Sequence, residues 1–264
     1  MLTKRLIACF DIIKGRVTKA LQFQDNIDVA SASELAGMMY DAQIDELIFY
    51  DITASSEKRG IDIETVKMTA GRVFVPFTVG GGIKNINDMY ETLKAGAEKI
   101  SVDSMAVRNP QIITEGANAF GSQCIVLSTQ AKRTGKTPSS YEVFIDGARI
   151  ATGLDAIEWI RRGQELGAGE ICLNSIDCDG TMAGYDLELM KLAEKAVSVP
   201  LIASGGAGKP EHLRDLFLQT QAQGAIISSM LYSPRAGRNY TVRELKNYLR
   251  QNGVNARPFE ERQK

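Results

Sequence analysis

Short, unbroken apolar runs alternate along the chain with amphipathic stretches. The runs Arg5–Asp11, Glu46–Asp51, Val75–Val79, Lys99–Asp103, Cys124–Gln130, Glu170–Ser175, Pro200–Ser204 and Ala225–Ser229 predict eight strands. Between them the spacing is helical, as in Glu34-Leu35-x-x-Met38-Met39, Ile86–Leu93 and Leu154–Leu166. Strands without polar alternation are buried on both faces, and intervening helices make their sheet parallel. Eight β/α units in 264 residues predict an α/β fold, a single closed (β/α)8 TIM barrel. A doubly wound open sheet would place a Gly-rich turn after the first strand, and that turn is absent.

An internal repeat supports closure. Asp45–Thr53 resembles Gly169–Asp177, and Gly80-Gly81-Gly82 has a partner in Gly205-Gly206. Glu46 to Glu170 and Gly81 to Gly206 are 124 and 125 residues apart, which suggests two (β/α)4 half-barrels. The expected organisation is one barrel over 1–252 and a polar tail over 253–264 that frays. One departure from barrel rhythm is expected at 133–152, where β-formers flank Asp146-Gly147 as in a hairpin. Another is Ile12–Ser31, read as a long loop holding Lys19.

Composition removes many chemistries. Lys and Arg number 31 against 32 Asp and Glu, which gives no basic excess for nucleic acid or an anionic membrane. No apolar run is long enough to span a membrane, and too few uncharged residues separate Arg5 from Asp11 for a signal-peptide core. The four cysteines have no metal-ligand spacing, so a reduced, cytoplasmic protein is expected. A single histidine, His212, leaves acid–base work to carboxylates, Lys, Tyr or Cys. No cofactor and no metal are expected.

In such barrels the C-terminal strand ends carry the site and the N-terminal ends carry stability. Asp11 closes an apolar run, which suits a general acid or base, although a loop-capping role fits the position too. Its counterpart in the second half is Gln130, which hydrogen-bonds but cannot transfer a proton. Gly80–Gly82 and Gly205–Gly208 lie at strand-to-helix turns, with Ser228 and Ser229 after the eighth strand. Together they suggest a ligand with two phosphates across the mouth, or plain turns. Lys19 is either an anion clamp or a solvated lysine. At the opposite end Arg5, Glu46, Lys99 and Glu170 open four strands, and their spacing predicts an alternating ring of ion pairs.

Several motifs carry a resemblance: Phe10-Asp11, Asp51–Glu57, Thr78–Ile83, Gly121–Cys124, Thr152–Ala156, Asp179-Gly180-Thr181, Gly184–Glu188 and Ile202–Lys209. To about residue 252 the chain resembles the HisF family, the cyclase subunits of imidazole glycerol phosphate synthase. The resemblance implies a barrel partnered by a HisH-like glutaminase. Ammonia would enter at the bottom, pass a charged gate matched by Arg5, Glu46, Lys99 and Glu170, and react at the top with the bisphosphate PRFAR. Imidazole glycerol phosphate and AICAR would be the products. Glu98 stands where the family has an Asp contacting the glutaminase.

The matching is uneven at the top. Asp11 matches the first catalytic aspartate, but Gln130 replaces the second in the motif Gln130-Ala131-Lys132-Arg133. Asp103-Ser104 replaces Asn-Thr at one phosphate site, Asn174 replaces Thr, and Tyr232 replaces a common His. An ionised Asp103 ~4 Å from a phosphate charge would cost about 4 kcal/mol at an effective dielectric of ~20. The second phosphate site is better kept, with Gly81, Gly82, Asp179, Gly180, Gly205, Gly206, Ser228 and Ser229, and Lys19 matches the flexible-loop lysine. Two readings follow: a HisF-type cyclase, or a paralogue conducting ammonia to an amidotransferase that makes acetamidino sugars for surface polysaccharide and docks on the top face. A HisA-type isomerase needs two acids and no bottom gate, and fits less well.

Overall fold

In the computed structural model the described residues are 2–21, 24–54, 57, 59–232 and 238–260, with backbone alone over 19–21 and 24–27. Twelve strands lie among them. In chain order they are β1 (Arg5–Ile13), β2 (Arg16–Leu21), β3 (Gln24–Ser31), β4 (Glu46–Asp51), β5 (Phe77–Gly80), β6 (Lys99–Val102), β7 (Ile125–Arg133), β8 (Tyr141–Ile145), β9 (Ile150–Asp155), β10 (Glu170–Ser175), β11 (Leu201–Ser204) and β12 (Gly224–Ile226). Eight of them pair in parallel in the order β1-β4-β5-β6-β7-β10-β11-β12, and β12 returns to β1. The result is the closed (β/α)8 barrel that the apolar runs predict.

Both strand faces are buried because alternate residues enter different cores. Leu6, Ala8, Phe10 and Ile12 of β1 face outward into the layer under the helices. Ile7 and Cys9 face inward with Ile48, Val126, Cys172, Ile202 and Ile226. In the outer layer Phe49 meets Phe10 at 5.2 Å and Phe77 at 4.7 Å between ring centroids. Helix starts are capped locally: Asp62, Asn85, Asp155 and Asp186 accept backbone N–H groups, and Thr241 forms a capping box with Glu244.

Three expectations are corrected. The segment Ile12–Ser31 is not a loop: β1 runs on to Ile13, turns through Lys14 (φ 48°) and Gly15 (φ 76°), and pairs antiparallel with β2, which pairs with β3. Two consecutive left-handed residues suit a two-residue hairpin whose twist matches its strands. Ser228 and Ser229 do not end a strand; β12 stops at Ile226, and both serines open the helix Ser228–Tyr232. The tail does not fray at once after Asn252. Val254 and Ala256 are buried, and the Lys4 N–H donates to the Asn255 carbonyl at 2.8 Å, which seats the segment beside the start of β1.

At the C-terminal end of the barrel, β7 continues beyond the wall and pairs antiparallel with β8, which turns at residues 146–149 into β9. This turn folds back over β6. The Asp146 N–H donates to Ser104 Oγ at 2.9 Å, and Arg108 pairs with Asp146 at 2.5 Å.

Candidate functional site

The inward-facing parity of each strand sets what the barrel holds at each level. At the N-terminal end, Arg5, Glu46, Lys99 and Glu170 meet as a closed ring. Arg5 donates to Glu46 at 2.5 Å and to Glu170, while Lys99 Nζ lies 3.0 Å from Glu46 and 2.7 Å from Glu170. The carboxylate side chains are almost sealed, at 0% and 5% exposure, against 23% and 19% for Arg5 and Lys99. Burial alone would lower the pKa of either cation. The facing Glu46 and Glu170 outweigh it and raise both, so the cations hold their charge. Glu98, next to Lys99, turns its carboxylate to the Phe77 N–H at 2.6 Å. Leu2 and Phe74 stand exposed at this end, just before β1 and β5.

Above the ring lies the apolar inner cluster, and above that a belt of hydroxyls. Tyr50 Oη lies 3.2 Å from Ser101 Oγ and 3.4 Å from Ser128 Oγ. Burial, with Cys172 and Cys9 nearby, pushes the phenol well above its usual pKa. It remains a neutral hydrogen-bonding group. No local motif marks this belt in the sequence, although Tyr50 shares the inward parity of Glu46 and Ile48.

At the C-terminal mouth the structure brings Asp103, Gln130 and Asn174 together. Asn174 Nδ2 donates to Gln130 Oε1 at 2.8 Å, and Gln130 Nε2 donates to Asp103 Oδ2 at 3.4 Å. Asp103 occupies the N-cap position of the helix Ser104–Arg108, yet its side chain makes no capping bond. Burial, helped by Asp146 and opposed by Gln130 and Arg108, raises its carboxyl to about 7. Beneath it the buried Cys172 thiol is pushed up to about 12. Asp11 ends the inward series of β1, and its backbone pairs with Thr18 of β2.

The predicted phosphate residues divide. The Ser228 hydroxyl donates to the Cys9 carbonyl at 2.6 Å and accepts the Cys9 N–H at 3.0 Å, so it stitches β1 to the last β/α unit. Tyr232 Oη donates to the same carbonyl. Ser104 holds the β8–β9 turn. The glycines are demanded by backbone packing. A Cβ on Gly81 (φ +90°) would lie 2.3 Å from the Asp51 carbonyl, and one on Gly206 (φ +101°) 1.9 Å from the Gly184 carbonyl. Gly82 and Gly205 are confined too, a Cβ on each lying 2.7 Å from Ala54 Cβ and the Ser175 carbonyl respectively. Asp179 and Gly180 follow β10 in a turn where the Asp179 N–H donates to the Ser175 carbonyl at 2.9 Å. Ser229 stands beside Ser228 at the helix start. Lys19 lies in β2, and its side chain is outside the described residues.

A second cluster, also missed, lies at the end of β4. Buried Asp51 takes a two-pronged contact from Arg59 at 2.5 and 2.8 Å and accepts the Ala54 N–H at 3.1 Å. His212 Nδ1 accepts the Gly208 N–H at 3.2 Å and braces the turn after β11. Burial, with Lys209 nearby, lowers its pKa, so it stays neutral. Among the described residues no three His, Cys, Asp or Glu side chains gather as a metal set, and no helix is long and apolar enough to cross a membrane.

Comparison with known proteins agrees with the barrel fold. The model of the histidine biosynthesis protein family matches residues 5–236. The chain is 51% identical over 260 residues to imidazole glycerol phosphate synthase subunit HisF of Desulfosudis oleivorans, covering 97% of this chain and 99% of that protein. It belongs to the HisF family. HisF of Desulfatibacillum aliphaticivorans is 50% identical over 97% of this chain, and that of Clostridium botulinum 47% over the same share.

Proposed function

We propose that the protein is the HisF-type synthase subunit of a glutamine amidotransferase complex. A HisH-like glutaminase docks on the N-terminal face, and ammonia travels up the barrel to a phosphorylated substrate of the PRFAR type, yielding imidazole glycerol phosphate and AICAR. The closed ring of Arg5, Glu46, Lys99 and Glu170 carries this reading. Four buried charges at one end of a barrel are expensive unless paired. A hydrophobic plug would serve stability as well, whereas a charged ring can open by moving one cation. Exposed Leu2 and Phe74, with Glu98 beside the ring, supply the apolar and charged elements of a partner surface. At the mouth, Asp11 is the proton-transferring residue. Lys19, Gly81, Gly82, Ser104, Asn174, Asp179, Gly180, Gly205, Gly206 and Ser229 surround the bisphosphate, with Ser228 fixing the wall behind them.

One observation favours a second reading. Both ends of the Gln130 amide are engaged, by Asn174 and Asp103, so position 130 offers no group able to move a proton. On this reading the barrel is a conduit whose top face docks a third enzyme, a sugar amidotransferase of surface-polysaccharide synthesis. The test is turnover of PRFAR with ammonium salt at pH 6.5 and at pH 8.5 by the purified chain, beside its activation of a HisH-like glutaminase. Turnover at the rate of an ordinary HisF establishes the cyclase. Glutaminase activation without turnover establishes the conduit.

A further inference from the structure

We infer that Asp103, not Gln130, is the second proton-carrying group of the barrel mouth, with Gln130 and Asn174 as its positioning residues. The inference rests on the cyclase reading and deepens it. An aspartate at an N-cap position ordinarily accepts a backbone N–H of the helix it starts. Asp103 does not; its side chain turns instead to Gln130. The amide has a fixed sense. Because Asn174 donates to Gln130 Oε1, the other end, Nε2, is the one presented to Asp103 Oδ2. Gln130 is therefore a donor to Asp103, held so by a residue two strand positions from the inner cysteine of β10. A donor at Oδ2 leaves Oδ1 as the oxygen that carries and releases the proton.

Surrounding charges are few. Asp146 on the β8–β9 turn opposes ionisation, and Arg108 on the following helix favours it, but these two are paired with each other. Cys172 of β10, below, is a neutral thiol. With desolvation dominant, the carboxyl holds its proton to about pH 7. This removes the difficulty raised by a carboxylate near a phosphate: the neutral acid brings no like charge to an anionic substrate, and its proton stays available for transfer.

Around the barrel Asp103 follows β6, three strands from β1, so the two inward carboxyls face one mouth from different walls. In the proposed step the ammonia nitrogen forms a bond to a substrate carbon as that carbon's bond to its leaving atom breaks, and Asp11 as carboxylate accepts a proton from the nitrogen. Asp103 gives its proton to the substrate atom that leaves with its bonding pair, and becomes a carboxylate steadied by Gln130 Nε2–H. Water returns the proton to Asp103 and takes the one on Asp11, so the enzyme ends as it began.

The experiment measures kcat and KM for PRFAR from pH 6 to 9 at constant free ammonia, for the full native chain, Asp103→Asn and Asp103→Glu. The native kcat should fall above a limb near 7. Asp103→Asn should lose at least 100-fold in kcat with KM within threefold and no such limb, and Asp103→Glu should recover part of kcat. An Asp103→Asn enzyme within threefold of native kcat, with the limb intact, overturns the inference and leaves the cyclase reading standing. No native turnover at any pH overturns that reading and with it the catalytic step. Carbon-13 titration of labelled aspartate carboxyls then decides protonation: a resonance titrating near 7 and absent in Asp103→Asn supports the proton-holding assignment, and titration of Asp103 below pH 5 refutes it.

Discussion

Asp103 makes a stability prediction that needs no substrate. In the unfolded chain its carboxyl titrates at 3.8, and in the folded protein at about 7. The folded state binds the proton more tightly, so stability falls as pH rises through this interval. Below 3.8 the group is protonated in both states and has no effect; above about 7 it is ionised in both and the folded state bears the full cost. A displacement of roughly 3 units at ~1.4 kcal/mol each gives about 4 kcal/mol, and partial exposure of the residue brings the expectation to about 2–4 kcal/mol. Asp103→Asn keeps the shape and removes the ionisation. Urea unfolding of both proteins from pH 4 to 8 should show the variant gaining on the native chain by this amount. Other groups that titrate in the window, His212 included, are common to both proteins and cancel in the difference. Parallel curves between pH 4 and 8 would refute the burial argument, because an Asp103 that ionises normally contributes nothing there.

Further outcomes are expected at other sites. Lys246 is buried, with Nζ 2.6 Å from Asp45 and 2.7 Å from the Gln43 carbonyl, so Lys246→Met should cost about 3–5 kcal/mol in urea unfolding, and adding Asp45→Asn should recover much of it. Gly206→Ala should leave little soluble protein, because its Cβ would meet the Gly184 carbonyl. Gly135→Ala, at φ +70° with nothing near, should cost only about 1–2 kcal/mol by thermal unfolding. Tyr50→Phe should cost about 1–3 kcal/mol, since the buried hydroxyls of Ser101 and Ser128 lose their shared partner; a change below ~0.5 kcal/mol by urea unfolding would contradict the belt.

How legible these features were in the sequence follows from the length scale of each signal. The barrel was legible because its strands obey two rules at once, an apolar run and a helix after it. The ring was legible for a related reason: a charge at the first inward position of a buried strand, repeated in four strands, has one place to go. The β1–β2 hairpin was missed because its signal is only Lys14-Gly15, two residues in a polar stretch where Lys is an unusual first turn residue. Ser228 illustrates another limit. Position put it at the mouth, but only coordinates show its hydroxyl committed to the Cys9 backbone. The Asp103–Gln130–Asn174 line joins residues 27 and 44 positions apart, and no local spacing encodes it.

The vertical order of the interior links these pieces. Charges lie at the bottom, aliphatic, thiol and hydroxyl groups above them, and amide and acid at the mouth. Each level is set by the next inward residue of the same strands: Lys99, Ser101 and Asp103 on the wall of β6, and Glu170, Cys172 and Asn174 on β10. A cation and an acid on one strand would ordinarily compensate each other. Here the apolar level and the neutral Tyr50 belt stand between them, and Glu46 and Glu170 satisfy Lys99 locally. Asp103 is thereby left without a buried counter-ion on its own wall, and desolvation is free to hold its proton. Moving the lysine up one inward position, to residue 101, would place a cation beneath Asp103 and ionise it. The chemistry of the mouth thus depends on the ring staying at the opposite end of the same strands.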